Sequence, residues 1–174
     1  VMENVTGIYS IGGGEAVRAI KTELASLGYN VDEKVLKAED FGVPQERRRV
    51  VFIGNRLGAP ISHPGATHGP CLKPYVTIRD AIGDLPALEN GEDRGSVRYA
   101  SPPTCDYQRM LRGNAVIVTN HSAPRLGGVN IERLEHIPAG GSWRDIPFDL
   151  LPAGMKRAKR SDHTKRYGRM TWEG

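Results

Sequence analysis

Seven of the twelve prolines fall between Leu57 and Pro103. Proline lacks a backbone N–H and fixes φ, so neither a helix interior nor a central strand runs through a stretch punctuated this densely. Regular structure must be sought on either side of it. Glycine and proline together make 33 of 174 residues, about 19%, against roughly 12% in average usage, and long irregular connections are expected elsewhere too. Charged residues at 25% and apolar residues at 39% indicate a soluble globular chain, and aromatics at 6% a modest core. No apolar run nears the ~18 residues of a membrane helix. The opening VMENVTGIYS lacks the basic region and apolar core of a signal peptide. Two cysteines in this length make no disulfide framework, so a reducing cytoplasm is the expected location.

Three zones follow. In residues 1–56, Gly12-Gly13-Gly14 leads into a segment where Val17, Ile20, Leu24 and Leu27 fall at spacings of three, four and three. That pattern predicts one helix with an apolar stripe, capped at its end by Gly28. Tyr29, Val31 and Val35 alternate with polar residues as in a half-buried strand, and Arg49 to Gly54 reads as a buried strand. A helix and two strands form part of an α/β sheet, too small to be a complete one. Residues 57–103 read as a connector with one short helix, capped by Thr77 with Asp80 three residues on and stopped at Leu85-Pro86. Residues 104–174 mix the apolar run Ala115 to Val118 with turn-rich, polar and basic sequence. There is no internal repeat.

Charge is unevenly spread. Leu151 to Gly174 hold seven basic residues against two acids, a net +5, which leaves the first 150 residues at −1. A near-neutral body with a basic end suits a polyanion, nucleic acid first, although a solvated charged face reads the same on charge alone. Arg47, Arg48 and Arg49 stand just before the second strand, either as edge solubilisers or as phosphate clamps. Strand alternation would put Arg47 and Arg49 on one side, where two guanidinium forks can converge on one anion or base. His63, His68 and Cys71 have loosely metal-like spacing without a second ligand pair, so no metal site is expected. Gly12 to Gly14 match neither GxGxxG nor a P-loop. Trp143 and Trp172 suit burial better than stacking on bases.

Within 56 residues the chain carries Glu3-Asn4-Val5, a helix ending in Gly-Tyr, a strand, and Asp40-Phe41-Gly42-Val43-Pro44-Gln45-x-Arg47-x-Arg49 followed by Phe52-Ile53-Gly54. This order resembles the bacterial DNA cytosine-5 methyltransferases, whose sixth motif is the ENV block and whose eighth is QxRxR. Thr77 to Pro86 resembles the segment that follows the eighth motif, and His121 to Tyr167, with GGSWRDIP and LLPAGMKRA, resembles a target-recognition region. The resemblance implies an α/β fold: the end of a Rossmann-like methyltransferase domain in 1–56, a connector in 57–103, and an irregular, incomplete target-recognition region in 104–174. It also implies transfer of a methyl group from S-adenosylmethionine to C5 of a cytosine flipped out of double-stranded DNA. In that chemistry a cysteine thiolate adds to C6 while a carboxylic acid stabilises the charge at N3.

Carried over by residue, Glu3 is the N3 partner and would have to hold a proton near neutral pH, while Arg47 and Arg49 support Glu3, the base O2 and a phosphate. The DNA contacts expected from the basic segment are Lys156, Arg157, Arg160, Ser161, His163, Thr164, Lys165, Arg166 and Tyr167. The family's nucleophile stands in a Pro-Cys-Gln block upstream of ENV, and its cofactor loop lies further upstream. Cys71 and Cys105 both come after the eighth motif, and Cys71 is followed by Leu72. The chain is therefore expected to be an internal fragment, inactive alone, with no cofactor-binding residue and with the rest of the methyltransferase domain as its partner. A non-enzymatic DNA-binding module and one subunit of a split methyltransferase are the alternatives.

Overall fold

The predicted apolar stripe does form a helix, and it closes over one face of a small sheet. In the computed structural model, which describes residues 1–159 and 167–173, α1 spans Glu15–Ser26. Val17 is buried with Ile8, Val50 and Phe52, and Ile20 packs against them. Leu27, the last residue of the expected stripe, is exposed because the helix has ended. Gly28 turns the chain with φ +83°. Its N–H donates to the Ala25 carbonyl at 2.9 Å and that of Tyr29 to Leu24 at 3.0 Å, the pair of bonds that satisfies a helix's last carbonyls.

Three strands make the sheet, one more than periodicity revealed. They are β1 (Met2–Val5), β2 (Asn30–Lys37) and β3 (Arg48–Asn55), in the order β1-β3-β2 with both pairings antiparallel. β3 is the most apolar and takes the centre, where Val50 and Phe52 lose essentially all contact with solvent. β1 holds only four residues, too few to show an alternation. Its strand character comes from pairing with β3, Glu3 opposite Val51 and Val5 opposite Arg49. The mixed α/β unit of helix and sheet runs from Val1 to Val76, and contacts define a second unit from Thr77 to Gly174.

The second unit opens on the predicted short helix, α2 (Ile78–Ile82), with a complete capping box. The Asp80 N–H donates to Thr77 Oγ1 at 3.1 Å, while Asp80 Oδ2 accepts from the Thr77 N–H at 2.9 Å and its hydroxyl at 2.7 Å. These bonds, the Thr77 backbone N–H foremost, hold the Asp80 carboxyl below its ordinary pKa. A lowered native pKa stabilises the fold above the unfolded carboxylate range, and that contribution is lost as pH falls through the native value. Asp80→Ala is accordingly expected to cost about 1 kcal/mol near pH 7, with the difference from the parent shrinking toward pH 3 in thermal melts. A difference independent of pH would show that ionised Asp80 is not the source.

Beyond α2 come β4 (Val97–Arg98), α3 (Asp106–Arg112), β5 (Ile117–Val118) and α4 (Gly128–Glu135), with β4 and β5 forming a two-residue antiparallel pair. Gln108 of α3 is buried with both ends of its amide bonded: its Nε2 donates to the Arg79 carbonyl and its Oε1 accepts from Thr104 N–H and Oγ1. The core is assembled mainly by loops. Ile137, Trp143, Ile146, Leu151 and Met155 are buried together, with Leu134, Leu150, Ala158 and Tyr167 against them. Among the described residues no helix is long and apolar enough to cross a membrane.

Candidate active site

Pairing of β1 with β3 brings the ENV and QxRxR blocks side by side. Glu3 faces Val51 in the ladder, so Arg49, two residues before Val51, is its diagonal neighbour on the same face. The Arg49 Nε–H donates to Glu3 Oε1 at 2.9 Å across 46 residues of sequence. Arg49 Nη1 donates to the Arg48 carbonyl at 2.8 Å, which anchors the guanidinium at a second point. The Glu3 side chain is 51% exposed and that of Arg49 24%. Arg49 thus occupies Oε1 of a carboxylate that is otherwise half exposed.

Arg47 does not join this pair. The β2–β3 ladder begins at Lys37 opposite Arg48, so Arg47 stands one residue outside it and strand alternation does not aim its side chain. Its backbone is held instead: the Arg47 carbonyl accepts from Ala38 N–H at 2.8 Å, and its N–H donates to Glu39 Oε2 at 3.3 Å. The exposed guanidinium makes no ion pair with Glu3.

The turn that delivers β3 is braced by the following loop. Gly42 has φ +80°, and a Cβ there would lie 2.5 Å from His68 Cε1, so both conformation and space demand glycine. The Asp40 carbonyl accepts from the N–H groups of Thr67 and His68, and its Oδ1 accepts from the Tyr75 hydroxyl at 3.3 Å. His68 Nδ1 lies 2.9 Å from Thr67 Oγ1, whereas His63 is enclosed with Nε2 3.3 Å from Asp32 Oδ2. The two histidines thus take separate partners. Cys71 is exposed, and Cys105 Sγ lies 3.6 Å from the Asp80 carbonyl.

In the second unit, Lys156, Arg157 and Lys159 are exposed. Lys156 Nζ donates to the Asp149 carbonyl at 3.3 Å and sits 5.3 Å from the Phe148 ring centroid. Tyr167 packs on the core and its hydroxyl donates to Asn130 Oδ1 at 3.3 Å. Arg160, Ser161, His163, Thr164, Lys165 and Arg166 lie outside the described residues. Trp143 is only 4% exposed. Glu39 and Phe148 escaped the sequence reading: no motif marks Glu39, and the apolar spacing of Ile146, Phe148 and Leu150 suggests burial, which Phe148 does not undergo.

Glu3 and Arg49 thus meet on one face of the sheet, and comparison with known proteins shows the family of the chain. Residues 1–120 match the model of the C-5 cytosine-specific DNA methylases. The chain belongs to that family. It is 34% identical to the type II methyltransferase M.AgeI of Thalassovita gelatinovora, over 89% of this chain and 41% of that protein. The type II methyltransferase M1.HphI of Haemophilus parahaemolyticus is also 34% identical, over 87% of this chain and 34% of its own length. DNA (cytosine-5)-methyltransferase 2 of Arabidopsis thaliana is 29% identical over the whole chain and 14% of its length. The chain therefore spans well under half of these relatives. In fold it is similar to an E. coli prophage-encoded protein solved as a DNA modification methyltransferase, with TM-score 0.60 and 21% identity over 99% of this chain and 49% of that one.

Proposed function

We propose that this chain is part of an enzyme that methylates C5 of a flipped cytosine in double-stranded DNA. The 2.9 Å bond between Arg49 Nε and Glu3 Oε1 carries the reading, because it joins the family's two base-facing blocks on one sheet face. Arg49 fixes the carboxyl group in place and leaves Oε2 to meet cytosine N3. A proton on that oxygen, donated toward N3, draws off the charge that builds on the ring when a thiolate adds to C6, and this stabilisation grows toward the transition state. Arg47, its backbone pinned just before β3, extends toward the base O2 or a phosphate. The thiolate comes from a Pro-Cys-Gln block outside these 174 residues.

S-adenosylmethionine supplies the methyl group in this chemistry. At the glycine turn, Glu15 Oε2 lies 3.1 Å from a Cβ built on Gly12, which sets a carboxylate beside the turn. No residue here is assigned to the donor.

Residues 1–56 then serve as the end of the catalytic domain and 104–174 as the target-recognition region, joined by 57–103. The DNA contacts fall on Lys156, Arg157, Arg160, Ser161, His163, Thr164, Lys165, Arg166 and Tyr167. Methylating a defined duplex with the enzyme that contains this chain is expected to yield 5-methylcytosine. Methylation at an exocyclic amine of cytosine or adenine would overturn the proposal. If Arg157 contacts a phosphate, Arg157→Ala lowers the slope of log affinity against log salt by about 0.9 on every sequence; an unchanged slope removes it from the interface.

A further inference from the structure

Among the described residues, the aromatic ring beside Lys156 is Phe148. Phe148 is 63% exposed, on the single 3-10 turn Phe148–Leu150. That turn is held from several sides. Ile146 and Leu151, flanking it, are buried in the core; the Leu150 carbonyl accepts from Arg133 Nε at 2.6 Å, and the Asp149 carbonyl from Lys156 Nζ at 3.3 Å. A large apolar ring turned to water on so well-anchored a backbone would lose little conformational freedom on meeting a ligand.

Its surroundings select the ligand. Lys156 Nζ stands 5.3 Å from the ring centroid, and Arg157 and Lys159 are exposed within the next turn of chain. Charge complementarity selects the occupant: the cation over the ring is followed in sequence by further exposed cations. A flat π-face flanked by negative charge fits both the ring and the cations, and an unpaired nucleobase has that form. Trp172 is also half exposed, but Arg79 stacks over it while bonded to Glu173 Oε1 at 2.8 Å, so a carboxylate meets any approaching phosphate.

Resting on the DNA-methyltransferase reading, we propose that Phe148 is a stacking contact for an unpaired nucleobase, with Lys156 and Arg157 holding the flanking phosphates. The full chain is titrated with two duplexes of one sequence, one fully paired and one carrying 2-aminopurine opposite an abasic site. Phe148→Ala is expected to weaken binding to the second by roughly tenfold and to the first by less than about twofold, with circular dichroism unchanged. Phe148→Trp is expected to keep the parent affinity and to quench the 2-aminopurine. Equal effects on both duplexes, or none on either, would overturn the stacking role while salt-dependent binding by the parent leaves the methyltransferase reading standing. A parent chain that binds neither duplex would overturn the stacking role and the DNA-contact assignment together.

Discussion

Glu3→Gln is expected to slow methyl transfer by about 100-fold in the enzyme that contains this chain, with duplex affinity changed by no more than about twofold. The amide is nearly isosteric and retains a carbonyl oxygen to accept the Arg49 Nε–H, so the 2.9 Å bond and the side-chain position survive. β1 pairs with β3 through its backbone, which the substitution leaves alone. The amide N–H can still donate a hydrogen bond to N3, and the ground-state complex should form normally. It has no acidic proton to deliver as charge develops, so the loss falls on the transition state and appears in the rate. Single-turnover methylation of a defined duplex, beside equilibrium binding to the same DNA, separates the two effects. An unchanged rate would remove Glu3 from the chemistry, and a parallel loss of affinity would make it a binding residue.

Trp143→Ala is expected to destabilise the second unit by about 3–5 kcal/mol, the range for deleting a large aromatic from a core. Trp143 is buried with Ile137, Ile146, Leu151 and Met155, and little regular structure surrounds it to close over a cavity. Since whole domains are stable by only about 5–15 kcal/mol, this one change removes a large share of the total. Urea titration followed by circular dichroism is expected to show the midpoint falling steeply. Phe148→Ala, five residues away but exposed, is expected to stay within about 0.5 kcal/mol of the parent. A Trp143→Ala loss below about 1 kcal/mol would show that the unit draws its stability from elsewhere.

Local chemistry was readable where one segment settles its own structure. The α1 stripe as far as Leu24, the Gly28 turn and the Thr77–Asp80 box formed as the residue pattern predicts, because helix periodicity and caps involve neighbours within a few positions. β1 was not readable. Its four residues become a strand only by completing the edge of β3, a partner more than forty positions away. The expectation that Arg47 and Arg49 converge rested on strand alternation, which applies only inside a ladder, and the register starts at Arg48. The core of the second unit was equally hidden: it is gathered from turns around Trp143, Ile146 and Leu151 that share no period.

Motif chemistry was carried by residue identity and order. Glu3, the Gln45-x-Arg47-x-Arg49 block and the basic C-terminal stretch are legible without coordinates, since they depend on which groups are present. Which of those groups meet depends on long-range pairing. Antiparallel register set Glu3 against Arg49 and left Arg47 outside, and loop packing buried Trp143 while turning Phe148 to solvent. Helices and caps are governed by contacts a few residues apart, whereas sheet edges and loop-built cores arise between distant segments that find each other only as the chain folds.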